Sequence, residues 1–196
     1  MRTLINSLSL TQLAYSDNYT IVHATRVALI AEAIGDNLKL GPNSILDLRL
    51  AGFLHDIGKL ALPKEVLYKP GPLSADEEAQ VRLHPIIGAR VAEVAGIEPQ
   101  IVAAIAGHHE RLDGSGYPQG LQGDDIDLLT RIICVADVYA AMTSERPYRR
   151  PLTHTVALAE ISKEHLYDQI IVDSLQQVLD TTDLLFLLRE INKKIV

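Results

Sequence analysis

The sequence predicts an all-α bundle, and three observations carry that prediction. Apolar residues recur at three- and four-residue spacing along most of the 196-residue chain. No segment alternates apolar and polar residues convincingly as a half-buried strand does. Turn chemistry separates the helical runs, at Gly35, Gly41-Pro42, Gly58, Gly71-Pro72 and Gly96.

Taken in order, the spacing predicts a helix from Ile21 to Leu38, then one from Ser44 to Ile57 whose stretch from Ile45 to Leu54 is almost wholly apolar. A third runs from Ala75 to Leu83, opened by Ser74 with Glu77 three residues later, the pattern of a capping box. Further helices are predicted over Pro85 to Ala95, Pro99 to His109, Leu128 to Met142, Thr153 to Glu164 and Gln169 to Leu179. Beyond Thr182 an apolar-basic helix covers Leu184 to Lys194, as core packing or as an oligomer contact. Two segments have no such spacing, Lys59 to Leu73 and Glu110 to Asp127. Long irregular connections inside a compact domain are uncommon and usually functional. Gly114, Gly116, Gly120 and Gly123 would let the second one approach a ligand or partner closely.

The chemistry-bearing residues cluster along the sequence. Five of the seven histidines fall into a series with two aspartates: His23, His55-Asp56, His84, His108-His109 and Asp137. His55 and Asp56 end the apolar run of the second helix and are expected to be buried, where charge needs strong partners. Asp137 shares a helical face with Ile133 and Cys134 by three- and four-residue spacing. Buried carboxylates on two helices, among five histidines, are hard to satisfy without cations. Imidazole and carboxylate without thiolate suit iron, manganese, zinc and similar divalent ions. Downstream, Arg146, Arg149 and Arg150 form a basic cluster whose guanidinium groups match phosphate oxygens.

Composition narrows the setting. A chain that is 47% apolar and free of low-complexity sequence fits one domain, 1–196, with a sizeable core. One cysteine, Cys134, excludes a disulfide framework and points to a reducing cytoplasm. No apolar run approaches the ~20 residues of a membrane span, and no signal-peptide layout opens the chain. A net charge of -7 without tryptophan argues against a protein that tracks along a nucleic-acid polymer.

These residues carry a resemblance. Asp17-Asn18-Tyr19-Thr20 leading to His23 and Arg26-Val27, Leu54-His55-Asp56-Ile57-Gly58-Lys59, Lys69-Pro70-Gly71-Pro72-Leu73 and His84-Pro85-Ile86-Ile87-Gly88 follow one another in order. After them come His108-His109-Glu110-Arg111-Leu112-Asp113-Gly114-Ser115-Gly116-Tyr117-Pro118, Ala136-Asp137 and Thr143-Ser144-Glu145-Arg146-Pro147-Tyr148-Arg149. From about Leu10 to about Leu179 the chain resembles the HD-GYP branch of the HD-domain metal-dependent phosphohydrolases, and the histidine doublet joined to Gly-Tyr-Pro is the specific element.

The resemblance implies an HD-domain helical bundle whose two long loops line the active site, and metal-dependent hydrolysis of cyclic di-GMP to pGpG, GMP or both in bacterial signalling. It implies two divalent transition-metal ions, iron or manganese. His23, His55, Asp56 and Asp137 would hold one ion, and Asp56 would bridge to a second held by His84, His108 and His109. Two ions so bridged lie about 3.5 to 4 Å apart, the spacing suited to an in-line displacement at phosphorus. Lys59, with Asp56, is the candidate catalytic residue, and Lys59, Tyr117, Arg146 and Arg149 are the candidate substrate contacts. The Gly114–Pro118 loop is implicated in meeting diguanylate cyclase domains.

Three departures from the family pattern bear on this. Ala140 stands where many members carry a second aspartate, three residues after Asp137; Tyr19 replaces the glutamate that brings a third metal; and Leu166-Tyr167-Asp168-Gln169 replaces the usual glycine and Phe-Asp-Pro. Two other readings stay open: a non-catalytic cyclic di-GMP sensor or cyclase-binding module, and an HD-type hydrolase of another nucleotide. No receiver, sensory or cyclase segment accompanies the motifs, so either a partner regulates this unit or it is part of something longer.

Overall fold

The computed structural model describes residues 18–145, 150–163, 165–180 and 182–193. Among them ten α-helices alternate with two 3-10 turns, and the β pairing is a lone bridge, Asp113 with Gln122. The helices are α1 (Asn18–Asn37), α2 (Pro42–Leu54), α3 (Lys64–Leu67), α4 (Ala75–Val81), α5 (His84–Val94), α6 (Pro99–Gly107), α7 (Leu128–Thr143), α8 (His154–Ser162), α9 (Gln169–Leu179) and α10 (Thr182–Lys193). The 3-10 turns span Ile57–Ala61 and Gly123–Asp125. No helix is long and apolar enough to cross a membrane among the described residues.

Helix α1 is the axis of the bundle. It packs against α2, α7, α9 and α10, because Val27, Ile30, Ala31 and Ile34 form a stripe at three- and four-residue spacing that is sealed from solvent. Its contact with α2 is close. A Cβ on Gly52 would sit 2.8 Å from the Ala28 α-carbon, so only glycine lets the two backbones meet there. This draws the end of α2, which carries the next chemistry-bearing residues, against the helix that carries His23.

Helix α7 is buried along Ile132, Ile133, Val135, Ala136, Tyr139 and Ala140. Asp127 starts it by accepting from the Thr130 amide at 2.9 Å and the Thr130 hydroxyl at 2.8 Å, which satisfies donors that a helix start leaves open. The capping box of α4 forms as its sequence predicts, with Ser74 N donating to Glu77 at 2.7 Å and Glu77 N to Ser74 Oγ at 3.3 Å. Thr153 and Asp168 cap α8 and α9 in the same way.

Several predicted boundaries shift. α1 begins at Asn18 rather than Ile21, and α2 ends at Leu54 rather than Ile57. α5 begins at His84, ahead of Pro85, α6 stops at Gly107 before the histidine doublet, and α8 spans only His154–Ser162. The predicted irregular stretch from Lys59 to Leu73 contains the end of a 3-10 turn and the one-turn helix α3. The C-terminal helix is core packing on its inner face. Leu184 and Leu188 are buried, α10 lies on α1 and α9, and Arg26 donates to the Leu188 carbonyl at 3.2 Å.

Candidate metal centre

Apart from His23, each histidine of the series sits at a helix end or in the turn just after one. His23 lies in the first half of α1, His55 and Asp56 in the turn that ends α2, His84 at the first position of α5, the doublet just past α6, and Asp137 in the middle of α7. A helix end leaves carbonyls without intrahelical donors, and the imidazoles use them. His55 Nδ1 lies 2.7 Å from Gly52 O, His84 Nδ1 2.7 Å from Val81 O, and His108 Nδ1 2.8 Å from Ile105 O. A carbonyl oxygen can only accept, so each Nδ1 carries the proton and donates. In the neutral ring, Nε2 is then left as a lone pair.

Those lone pairs converge. His84 Nε2 and His108 Nε2 are 3.1 Å apart, a separation at which two acceptors repel unless a cation lies between them. It is also the spacing of neighbouring ligands around an ion bound at about 2.1 Å. The buried His55 Nε2 and Asp56 Oδ1 have no hydrogen-bond partner. Three overlapping sets, His84/His108/His109, His23/His55/Asp137 and His55/Asp56/His108, each offer ligand atoms within 4.8 Å of one another. The donor set is therefore one that a metal pair fits.

Asp56 lies at the middle. Its Oδ1 faces His84 Nε2 at 3.2 Å and His108 Nε2 at 3.8 Å, while Oδ2 faces His55 Nε2 at 3.3 Å, His23 Nε2 at 3.9 Å and Lys59 Nζ at 2.7 Å. Asp137 Oδ1 reaches His23 Nε2 at 3.0 Å and His55 Nε2 at 3.7 Å, and its Oδ2 is 3.9 Å from His109 Nδ1. Burial disfavours both carboxylates, but Lys59, His55 and His84 hold Asp56 well below the usual range, and His23, His55 and His109 do the same for Asp137. Burial, then His109 and His55, depresses His108, and burial takes His109 down to about 3. His55 is raised, since Asp56 and Asp137 outweigh its burial.

Backbone approach sets this geometry as much as the side chains do. Gly58, in the 3-10 turn directly after Asp56, lies against the first turn of α5. A Cβ there would be 2.6 Å from Gly88 N and closer still to the His84 carbonyl. The loop after the doublet folds back on itself: Glu110, buried beside His109, accepts from the amides of Gln119 at 2.7 Å and Leu121 at 3.0 Å. A Cβ on Gly116 would meet Arg111 N at 2.5 Å. The glycine at 116 thus serves an approach to this chain's own backbone.

Tyr117 returns over the site and stacks on His109, with ring centroids 4.7 Å apart and planes 26° apart. The Arg82 guanidinium carbon lies 4.4 Å from the centroid of the same ring. His109 and Arg82 thus both pack on the Tyr117 ring at the edge of the centre. Sequence reasoning gave no role to three residues: Arg82, Glu110 and Arg26, the last standing in the motif after His23, buried and donating to Thr143 Oγ1 at 2.8 Å. Glu110 stands in the quoted motif but reads as a loop residue, and an arginine two places before a histidine has no signature. Arg146 and Arg149 lie outside the described residues.

Fold and site together define a helical protein with a buried histidine–carboxylate centre of the type that binds divalent metals. The chain belongs to the HD-domain family: the family model described as HD domain matches residues 9–171. It is 44% identical over 144 residues to a cyclic di-GMP phosphodiesterase of Pseudomonas aeruginosa, covering 73% of this chain and 35% of that protein. It is 40% identical over 167 residues to the cyclic di-GMP phosphodiesterase response regulator RpfG of Xanthomonas campestris, covering 82% and 44%. It is also 41% identical over 154 residues to a 3'3'-cGAMP-specific phosphodiesterase of Vibrio cholerae, covering 78% and 33%. The chain therefore spans less than half the length of these relatives. Among solved structures, a cyclic GMP-AMP specific phosphodiesterase of V. cholerae matches in fold with a TM-score of 0.71 at 19% identity, covering 96% of this chain and 53% of that one.

Proposed function

We propose that this protein is a metal-dependent phosphodiesterase of cyclic dinucleotides, with cyclic di-GMP as substrate and pGpG, GMP or both as product. The observation that carries the reading is the division of Asp56, whose Oδ1 turns to His84 and His108 and whose Oδ2 turns to His55 and His23. A carboxylate so shared is suited to bridge two ions, one with His23, His55 and Asp137, the other with His84, His108 and His109. The donor set, nitrogen and oxygen without sulfur, suits iron, manganese, zinc and similar divalent ions, and the resemblance to metal-dependent phosphohydrolases makes iron or manganese the proposed choice. When bound, such a pair supplies charge at a phosphoryl oxygen and lowers the pKa of water.

The chain's own residues do the rest. Lys59, 2.7 Å from Asp56 Oδ2 and partly exposed, keeps that carboxylate ionised and can donate a proton to the departing sugar oxygen. Arg146 and Arg149 are the proposed phosphate contacts. Tyr117, which packs on His109, is the further proposed substrate contact. The exposed Asp113 and Ser115 of the Gly-Tyr-Pro loop offer the surface proposed to meet diguanylate cyclase domains.

The test is purification without oxygen, metal analysis, and incubation with cyclic di-GMP and 3'3'-cGAMP in parallel, followed by separation of products. The 41% identical cGAMP-specific relative favours the second substrate as the alternative. Faster turnover of cGAMP would transfer the assignment to it. Full metal loading with binding but no turnover would favour a sensor.

A further inference from the structure

A cyclic dinucleotide carries two phosphate diesters, and only one can lie at the metal centre at a time. The other needs a cation on the rim. The site opens past His109, the most exposed of the seven metal-facing side chains, and on the other side past Lys59. Lys59 is committed to Asp56. Next to His109 the wall is Tyr117, and over the ring of Tyr117 lies Arg82.

The geometry points to Arg82 as the residue that holds the second phosphate, a role that rests on the phosphodiesterase reading above. Arg82 closes α4, two residues before His84, so its backbone is tied to the metal centre. Its side chain is exposed, and among the described residues its guanidinium has no carboxylate partner and no hydrogen bond. What fixes it is the face of Tyr117. A guanidinium lying over a ring leaves its N–H edges directed outward, and those edges match two oxygens of a phosphate. Because the ring beneath it is itself stacked on His109, the Arg82 fork is held at a set distance from the reacting phosphate. Such a contact would distinguish a cyclic dinucleotide from a diester with one phosphate.

The experiment compares the metal-loaded wild type with Arg82→Gln and Arg82→Lys, using three readouts: metal content, affinity for cyclic di-GMP, and hydrolysis of cyclic di-GMP against bis(p-nitrophenyl) phosphate, a single-phosphate diester. The expected result is full metal content, a Kd and KM for cyclic di-GMP raised about 10- to 100-fold in Arg82→Gln, the range of a charge-assisted contact, and partial recovery in Arg82→Lys. The loss on cyclic di-GMP should exceed that on the small diester at least tenfold. Equal losses on both substrates, or loss of metal, would overturn the assignment and make Arg82 a residue that positions His109 through Tyr117. Unchanged affinity for cyclic di-GMP would also overturn it. If the wild type binds cyclic di-GMP without hydrolysing it, the phosphodiesterase reading fails while the affinity comparison still decides Arg82; if it binds no cyclic dinucleotide, both fail.

Discussion

Gly58 and His84 are in backbone contact, with the glycine of the 3-10 turn so close to the histidine's carbonyl that no side chain fits between them. The contact joins the turn holding Asp56 to the helix holding His84, and so sets how far apart the two sides of the centre lie. Replacing the glycine must move one of them.

Gly58→Ala is therefore expected to cost about 1 to 3 kcal/mol, as overpacking does, and to lower the melting temperature by roughly 2 to 12 °C in a chain of this size. Metal content should fall with it, because the added methyl meets backbone on α5 rather than a side chain that can turn away. Differential scanning calorimetry and metal analysis of the same preparation check both, and an unchanged metal content would show that the contact does not govern the centre.

Asp56→Ala should be the most damaging single loss at the centre. It removes the carboxylate that faces four histidines and Lys59, and leaves the Lys59 charge without its 2.7 Å partner. Metal bound per chain should drop below one ion and hydrolysis should vanish. Retention of two ions at wild-type occupancy would sink the bridging role.

The pH dependence follows from the direction of the shifts. His108 and His109 are depressed below 6.5 in the folded protein, so the unfolded chain binds more protons than the folded one below that value. Their contribution to stability is complete above about pH 6.5 and is lost as the pH falls, for His109 through about 3. Asp56 and Asp137 add losses of the same sign below the ordinary carboxylate value. His55 is raised and acts oppositely, stabilising at low pH and losing that as the pH rises through its folded value. The metal-free protein should therefore melt progressively lower from pH 7 to pH 4, and metal should be released over the same range as protons compete for the imidazoles. A melting temperature flat across that range would contradict the burial assigned to the doublet.

Ala140 stands one turn beyond Asp137 on α7 and is sealed from solvent. Ala140→Asp is expected to raise turnover or metal affinity within the 10- to 100-fold that groups behind metal ligands supply. The gain should disappear in an Asp137→Ala background. If a well-folded Ala140→Asp protein showed unchanged activity and metal content, position 140 would not face the centre.

The helices were legible in the sequence because burial of one face imposes a period: the stripe of α1, the apolar body of α7 and the capping box at Ser74 are local patterns with local causes. The histidines and aspartates were legible as a set, since few other arrangements explain such groups at the ends of apolar runs. What the sequence could not carry is the relation between elements. That Gly58 meets His84, and that Arg82 and His109 both pack on Tyr117, depend on separate segments of the chain being brought within a few ångströms, while the glycine at 116 meets the backbone of its own loop. Two helix ends shifted for a local reason. His55 and His108 satisfy carbonyls left open where α2 and α6 stop, so the helices end before the histidines. The sequence by itself indicated that His55 and Asp56 would be buried and which side chains could hold a cation; the tertiary structure decided the distances between them, because a metal or a phosphate is recognised by spacing, and spacing is set by packing.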